Sequence, residues 1–245
     1  GIQPKRMLRS RGQVLEQFEN GRWQQSECDN ALGHICDLAS EQHVPELEGL
    51  PRFWGGMVGY LGYDMVRCIE TLPKHAERDL PVWDSYLMEA SIVVALDALR
   101  QRATVICPVS IQEGGDPEAA YAKAVQQIDR VVDDLKVPVN PHRPLPDDNS
   151  QEGEPESNFT SEGFCEAVSK ARDYIAAGDI IQVVLSQRFA IEARGTSPFD
   201  LYRALRLSNP SPYMFFLRFP EYAVVGASPE ILVRREDEKV EVRPI

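Results

Sequence analysis

The sequence predicts an α+β fold in which strands are flanked by helices. Strand-length apolar runs follow one another across turn signals, most clearly in residues 213–243, without a helix between each pair. Two longer stretches, 117–135 and 161–177, instead repeat apolar residues at helical spacing. The chain has 245 residues, of which 43% are hydrophobic and 26% charged, so it can bury a substantial core.

In residues 1–137, local signals predict a hairpin, two helices and two further strands. Asn20-Gly21 separates two short runs within residues 13–25 and is typical of a tight hairpin turn. Asp29 or Asn30 can cap a short helix whose apolar positions are Leu32, Ile35 and Leu38. Residues 84–98 and 103–109 have strand character, and residues 117–135 form an amphipathic helix.

Four glycines lie among aromatic residues in the stretch 50–73: Gly55, Gly56, Gly59 and Gly62. Glycine in such a stretch indicates that another backbone approaches closely, within a strand or at its turn. We therefore expect this stretch to lie against a neighbouring strand.

Residues 138–158 are rich in proline and acidic side chains and have few large apolar ones, which predicts an exposed linker. After it, Ser161 is the expected N-cap of a helix that ends at Gly178. A strand is expected through residues 179–193, then a helix over 198–207 and four successive strands. The predicted organisation is therefore an α+β segment 1–137, a linker 138–158 and a second segment 159–245.

Composition excludes several classes of function. The formal charge of −12 would repel nucleic acid and anionic membranes, so neither is an expected partner. No apolar run is long enough to cross a bilayer, and five cysteines without a CxxC pair indicate reduced thiols in the cytoplasm. Nucleotide-binding glycine motifs are absent, and the acid pairs 133–134 and 147–148 lack a third oxygen donor, so no metal site is predicted.

The predicted strand 179–193 carries the first candidate site. Alternation puts Gln182, Ser186 and Arg188 on one face and apolar residues on the other. The polar face is either simply solvated or, because Val184 and Ala190 share it, part of a covered cavity. In a covered cavity these side chains could hold a small anion, with Arg188 offering a fork to a carboxylate.

The stretch LSNPSPYMFFLRF, residues 207–219, is the second candidate. Two prolines flank Ser211 and fix the backbone, while Tyr213 and Met214 offer apolar surface beside free backbone groups. The stretch is either a rigid loop that enters a strand or the rim of a small-molecule pocket.

The chain resembles component I of anthranilate synthase, a branch of the chorismate-utilising enzymes. The resemblance rests on residues 53–73, 157–189, 207–219, 224–236 and the terminal RPI. It implies two mainly antiparallel sheets packed together and flanked by helices, incomplete in this chain. It also implies a lyase that converts chorismate to anthranilate and pyruvate with magnesium, using ammonia from a glutamine amidotransferase subunit.

The resemblance also assigns roles to residues of both candidate sites. Relatives that add water have a lysine where this chain has Gln182, which indicates an ammonia-adding enzyme with Gln182 on the substrate side and Arg188 as support. In the anthranilate branch the PSPYM segment binds tryptophan as feedback inhibitor, so Pro212, Tyr213 and Met214 are the effector candidates. Aminodeoxychorismate synthase component I is the alternative enzyme, and residue 246 would distinguish it.

The two ends of the sequence suggest a fragment. Residue 1 is a glycine, and the last residues alternate like a strand that stops without a turn. We expect the family's N-terminus and its catalytic C-terminal half, with the magnesium ligands, to lie beyond these ends. A non-catalytic module that binds tryptophan or docks a subunit is therefore a further alternative.

Overall fold

A computed structural model describes residues 2–40, 47–73, 78–111, 115–138, 153–193 and 195–243. The chain divides into two compact units, Gly1–Val139 and Asn140–Ile245. Most of the expected linker, including the acid pair 147–148, lies outside the described residues. Within the described ranges, no helix has both the length and the apolar character needed to cross a membrane.

The first unit contains a six-stranded antiparallel sheet. Its strands are β1 (Ile2–Arg11), β2 (Val14–Glu19), β3 (Arg22–Glu27), β4 (Met57–Leu61), β5 (Ser85–Asp97) and β6 (Arg102–Ile106). The order is β3-β2-β1-β5-β4, and β6 also pairs with β5. The long strand β5 pairs with β4 through residues 85–89 and with β6 through residues 93–97. This arrangement confirms the expected strand at 84–98 and the one that begins near 103, which ends at Ile106 and not at 109.

Turn and capping signals explain the start of the chain. Asn20 and Gly21 have φ values of 52° and 80°, the left-handed pair that a tight β2–β3 turn requires, which confirms the hairpin. Helix α1 (Ala31–Ser40) follows, and the Asn30 side chain accepts a hydrogen bond from the Gly33 N–H at 2.8 Å. Asn30 is therefore the cap that the sequence offered.

The close approach expected at the glycines occurs between β4 and β5. A Cβ at Gly59 would overlap the Tyr86 carbonyl oxygen and lie 2.8 Å from the Leu87 Cα. Gly62 is similarly confined, since a Cβ there would lie 2.8 Å from the Asp84 carbonyl oxygen. A 3-10 helix, Tyr63–Cys68, follows β4.

The core of the first unit lies between the sheet, α1 and the 3-10 helix. Its buried residues are Leu8, Leu15, Ala31, Met65 and Leu87. Helix α2 (Pro117–Lys136) begins after the Asp116 cap, as its spacing predicts. Of its apolar residues Ala124 and Val131 are buried, whereas Tyr121 and Leu135 are exposed.

The second unit contains helices α3 (Ser161–Ala177) and α4 (Pro198–Ser208) and three two-stranded antiparallel sheets. These pair β7 (Glu156–Ser157) with β8 (Phe189–Ala190), β9 (Tyr213–Arg218) with β10 (Ala223–Ser228), and β11 (Val233–Glu236) with β12 (Lys239–Val242). The expected α+β class, with antiparallel sheets flanked by helices, is confirmed.

The predicted helix after the linker is present, but its N-cap is one residue earlier than expected. Thr160 Oγ1 accepts the hydrogen bond of the Gly163 N–H at 3.0 Å, so Ser161 is the first helical residue. At the other end Gly178 has φ 82°, as expected of a residue that ends a helix. The error arose because Thr160 and Ser161 are both good capping residues and sequence alone cannot rank adjacent ones.

The prediction of a continuous strand through residues 179–193 is wrong. Only β8 is a strand there, and no strand among the described residues pairs with residues 181–188. The apolar side chains are consequently uncovered: Ile181 is 97% exposed and Val184 is 82% exposed. The alternation was real, but a strand also needs a partner to accept its backbone hydrogen bonds.

Burial differs sharply between the two units. Among the described residues of the second unit only Phe219 and Asp200 are buried, against fourteen in the first unit. Helix α3, described along its whole length, has no buried residue. The second unit therefore has little core of its own within the described residues.

Candidate functional site

The first candidate segment lies beside α3. Val183 and Leu185 line an open groove of about 280 Å³ together with residues of that helix, among them Ala171 and Tyr174. Gln182, the residue before Val183, is exposed and is not among the residues that line this groove. The lining is apolar apart from Lys170 and the Tyr174 hydroxyl, so the groove offers few polar groups of its own.

Arg188 lies at the ordered end of this segment. The Arg188 N–H donates to Asn158 Oδ1 at 2.8 Å, and the Asn158 N–H donates to the Arg188 carbonyl at 3.1 Å. Gln187 Nε2 donates to Ser157 Oγ at 2.9 Å. These bonds and the β7–β8 pair fix the backbone at Arg188, six positions after Gln182.

The structure does not form the covered cavity that the alternation suggested. Gln182, Ser186 and Arg188 are all exposed, and so is Val184, which was expected to help cover them. Of the two alternatives for this face, the structure shows the exposed one and not the covered one. The covered alternative does not hold because residues 181–188 lack the strand geometry on which the assignment of faces depended.

The second candidate segment is held by serine hydroxyls. Ser211 Oγ donates to the Ser228 carbonyl, and the Tyr213 N–H donates to Ser211 Oγ at 3.2 Å. Tyr213 pairs with Ser228 and Met214 with Ala227 in the β9–β10 hairpin. The loop that contains Pro212 is thus anchored where it enters β9.

Tyr213 and Met214 are neighbours in β9 and so lie on opposite faces of the hairpin. On the Met214 side, Phe216 contacts two rings of α4, those of Phe199 and Tyr202, with centroids 5.5 and 5.9 Å away. On the Tyr213 side, the Phe215 ring lies over Gly226, where an added Cβ would overlap the ring. The structure therefore separates the side chains of two of the three effector candidates.

A charged cluster near this segment was missed by the sequence analysis. Arg243 Nε donates a hydrogen bond to Glu241 Oε1 at 2.8 Å, and Nη2 of the same guanidinium forms an ion pair with that oxygen at 2.8 Å. Glu241 Oε2 lies 3.3 Å from Nη1 of Arg234, its partner across the β11–β12 hairpin. Glu241 and Arg243 are two residues apart, so strand alternation could have predicted that their side chains lie on the same face. The contact with Arg234 could not be predicted in this way, because it depends on the register of the hairpin.

The hydrogen bond from Arg243 lowers the pKa of Glu241, with further contributions from the charges of Arg243, Arg234 and Lys239. The same bond raises the pKa of Arg243, as do the negative charge of Glu241 and the nearby Tyr213 phenol and Glu230 carboxylate. Glu241 is therefore ionised at neutral pH and shared by two guanidinium groups.

The described residues do not offer a site for magnesium. Within the described part of the chain, no group of three or more His, Cys, Asp or Glu side chains could hold a metal ion. Asp133, one of the acid pair in α2, binds Lys136 Nζ at 2.9 Å instead. No reaction step through a metal is therefore assigned to these residues.

Comparison with known proteins gives a consistent result. The family model described as chorismate binding enzyme matches residues 3–245. Anthranilate synthase component 1 of Cereibacter sphaeroides is 41% identical over 100% of this chain and 49% of its own length. The same-named protein of Aquifex aeolicus is 40% identical over 97% of this chain and 48% of its own length.

A solved structure supports the same relationship. The crystal structure of anthranilate synthase component I from Streptococcus pneumoniae superposes with a TM-score of 0.71 at 29% identity, over 98% of this chain and 54% of that one. The chain spans about half the length of the curated relatives it matches. On the match of nearly all its residues, the chain belongs to the family of chorismate binding enzymes.

Proposed function

We propose that this chain is a part of component I of an anthranilate synthase, the lyase that makes anthranilate and pyruvate from chorismate and ammonia. The observation that carries the proposal is the family match over residues 3–245. Identities of 40–41% to proteins named anthranilate synthase component 1 support the choice of this branch over aminodeoxychorismate synthase.

The proposal gives Gln182 a role on the substrate side and Arg188 a supporting one. An amide can donate and accept hydrogen bonds but cannot remove a proton from water, whereas a lysine with a lowered pKa can. Free ammonia needs no such base, so a glutamine suits an ammonia-adding enzyme. Arg188 offers a guanidinium fork for a substrate carboxylate, and its backbone is held by Asn158.

The complete enzyme would use further components. We propose a glutamine amidotransferase subunit as the source of ammonia and magnesium bound to the substrate carboxylate, with metal ligands beyond residue 245. Reduced thiols are typical of the cytoplasm, and all five cysteines are free, which supports a cytoplasmic location.

We also propose that the anchored segment Pro212, Tyr213 and Met214 contributes to binding tryptophan as a feedback inhibitor. Tyr213 and Met214 are half-buried and offer aromatic and polarizable surface to an indole. Their opposite faces in β9 imply that side-chain contact comes from one of them and backbone contact from the other.

The test is a Gln182→Lys substitution in the full-length protein. Chorismate and ammonium chloride are supplied, so that the amidotransferase is not needed, and anthranilate is followed by its fluorescence. We expect the anthranilate rate to fall by roughly tenfold or more, the factor that corresponds to one hydrogen bond to a charged group. Product analysis should reveal whether a water-addition product replaces it.

The control is Gln25→Lys, the same replacement at an exposed position of β3. It should leave the rate unchanged. An unmodified protein that makes no anthranilate would contradict the proposed function itself. An active protein in which Gln182→Lys has no effect would contradict only the role of Gln182.

A further inference from the structure

Residues 181–187, here called the open segment, have the alternation of a strand but no strand to pair with. The β7–β8 pair lies directly after them, and two hydrogen bonds between Asn158 and Arg188 extend that contact by one residue. The contact stops there because the chain enters α3 directly after its cap, Thr160. Among the described residues no strand pairs with the open segment, so the short ladder ends where a further strand can continue it.

Helix α3 covers one side of the open segment. Val183 and Leu185 both line the apolar groove with residues of α3, among them Tyr174. In a strand, side chains two residues apart share a face, so pairing keeps these two on the side of α3. Val184 lies between them in sequence and is 82% exposed, and Ile181 is 97% exposed. Large apolar side chains are therefore left in water beside an unpaired backbone.

The length of the relatives indicates what covers this surface. The chain spans about half the length of its curated relatives, and the fold that it shares with the solved structure continues there in further chain. Soluble proteins rarely leave several neighbouring apolar side chains exposed, and a backbone without partners accepts an added strand. Further chain of the same protein meets both needs at once.

We infer that the part of component I outside this chain supplies a β-strand that pairs with the open segment and apolar side chains that cover Ile181 and Val184. The inference rests on the proposal that this chain is a part of component I. It commits to one occupant, a segment of the same polypeptide, and not to a second copy of this chain.

Pairing also completes the first candidate site. Strand geometry places Gln182 and Ser186 on the face away from α3, together with Arg188. In the 245-residue chain the bonds to Asn158 fix the backbone at Arg188, whereas within the described part no backbone hydrogen bond holds the open segment. Gln182 therefore takes a defined position beside Arg188 only when the added strand is in place.

Hydrogen exchange followed by mass spectrometry tests the pairing, with the full-length protein and the 245-residue chain compared. In the full-length protein the amides of the open segment should exchange at least roughly a hundredfold more slowly than in the 245-residue chain. Residues 85–89, which pair β5 with β4, are the internal reference and should exchange equally in both. Equal exchange of the open segment in the two proteins would overturn the inference, whether it stays open in both or a second copy already covers it in the shorter one.

Substitutions in the full-length protein test the apolar cover. Ile181→Gln and Val184→Gln should each lower the Tm by roughly 5 °C, because each places an amide in a buried apolar contact. The matched control is Leu99→Gln in the β5–β6 turn, where Leu99 is 92% exposed, and its Tm should stay within about 1 °C of wild type. No shift in the first two variants, or an equal shift in the control, would contradict the inference.

Neither measurement depends on catalysis, so the two proposals can fail separately. A full-length protein that makes no anthranilate contradicts the proposed function, while protection of the open segment in that protein still supports the added strand. An active protein whose open segment stays unprotected overturns the inference and leaves the proposed function standing.

Discussion

Gly59 carries the most direct structural prediction, because its environment leaves no room for any side chain. In the β4–β5 pair, Gly59 is opposite Leu87. A Cβ at this position would overlap the Tyr86 carbonyl oxygen and lie 2.8 Å from both the Leu87 Cα and the Tyr86 carbonyl carbon. All three are backbone atoms, so no rotamer change can relieve the overlap, and Gly59→Ala must push β4 away from β5.

The expected cost follows from what that displacement breaks. Overpacking in a protein interior costs about 1–3 kcal/mol, and a backbone clash belongs at the upper end of that range. Loss of about 3 kcal/mol corresponds to a fall in Tm of roughly 10 °C for a unit of this size. Gly55→Ala is the control, since its Cβ would meet only the Pro108 side chain, at 3.0 Å, and should cost far less.

The assay is thermal unfolding followed by intrinsic tryptophan fluorescence. All three tryptophans, Trp23, Trp54 and Trp83, belong to the first unit, so this signal reports the unit that contains Gly59. We expect Gly59→Ala to unfold about 10 °C below wild type, with Gly55→Ala close to wild type. Equal transitions in the two variants would refute the reasoning, because they would show that β4 yields to a side chain without losing its pairing.

Three further predictions concern the second unit. Thr160→Ala should destabilise α3 by about 1 kcal/mol because it removes the acceptor for the Gly163 N–H, whereas Ser161→Ala should have little effect. Amide exchange of α3 measures both variants, and a larger destabilisation by Ser161→Ala would show that Ser161 is the cap. In this 245-residue chain, the amide hydrogens of α3 should exchange at least roughly a hundredfold faster than those of β5, because α3 has no buried residue. Equal protection of α3 and β5 would show that burial does not control the local unfolding of α3. The pKa of Glu241 is lowered in the folded state, chiefly by the hydrogen bond from Arg243. Glu241 therefore contributes to stability above its unfolded-state pKa of about 4.3, and this contribution is lost as the pH falls through the lower folded-state pKa. The stability difference between wild type and Glu241→Gln should therefore be constant near neutral pH and shrink only in acid, as measured by thermal unfolding, and a change between pH 6 and 8 would exclude Glu241 as its cause.

Local signals predicted most elements, because each acts within a few residues. The β2–β3 turn follows from the ability of Asn20 and Gly21 to adopt positive φ, and the end of α3 follows from the same property of Gly178. Apolar spacing placed α2 within one residue of its observed bounds, and the helix expected at 198–207 is α4. These features depend on backbone dihedral preferences and on one face of a single element, which neighbours in sequence determine.

Features that depend on distant contacts could not be predicted in this way. Residues 181–188 alternate like a strand, yet whether they form one depends on a partner that the alternation does not supply. The sequence analysis assigned Gln182 and Arg188 to one candidate site. Only the structure shows that the backbone of Arg188 is hydrogen-bonded to Asn158, whereas among the described residues no such bond holds Gln182. The resemblance to a family suggested their roles, and their geometry had to come from the fold.

The sequence by itself determined the α+β class, the turns, the caps to within one residue and the family to which the chain belongs. Tertiary structure alone decided which faces are buried, that Tyr213 and Met214 diverge in β9, and that Arg234, Glu241 and Arg243 meet. The physical reason is the range of the interactions. Dihedral and capping preferences act within a turn or two of chain, whereas burial and charge pairing depend on strand register and on packing between elements far apart in sequence.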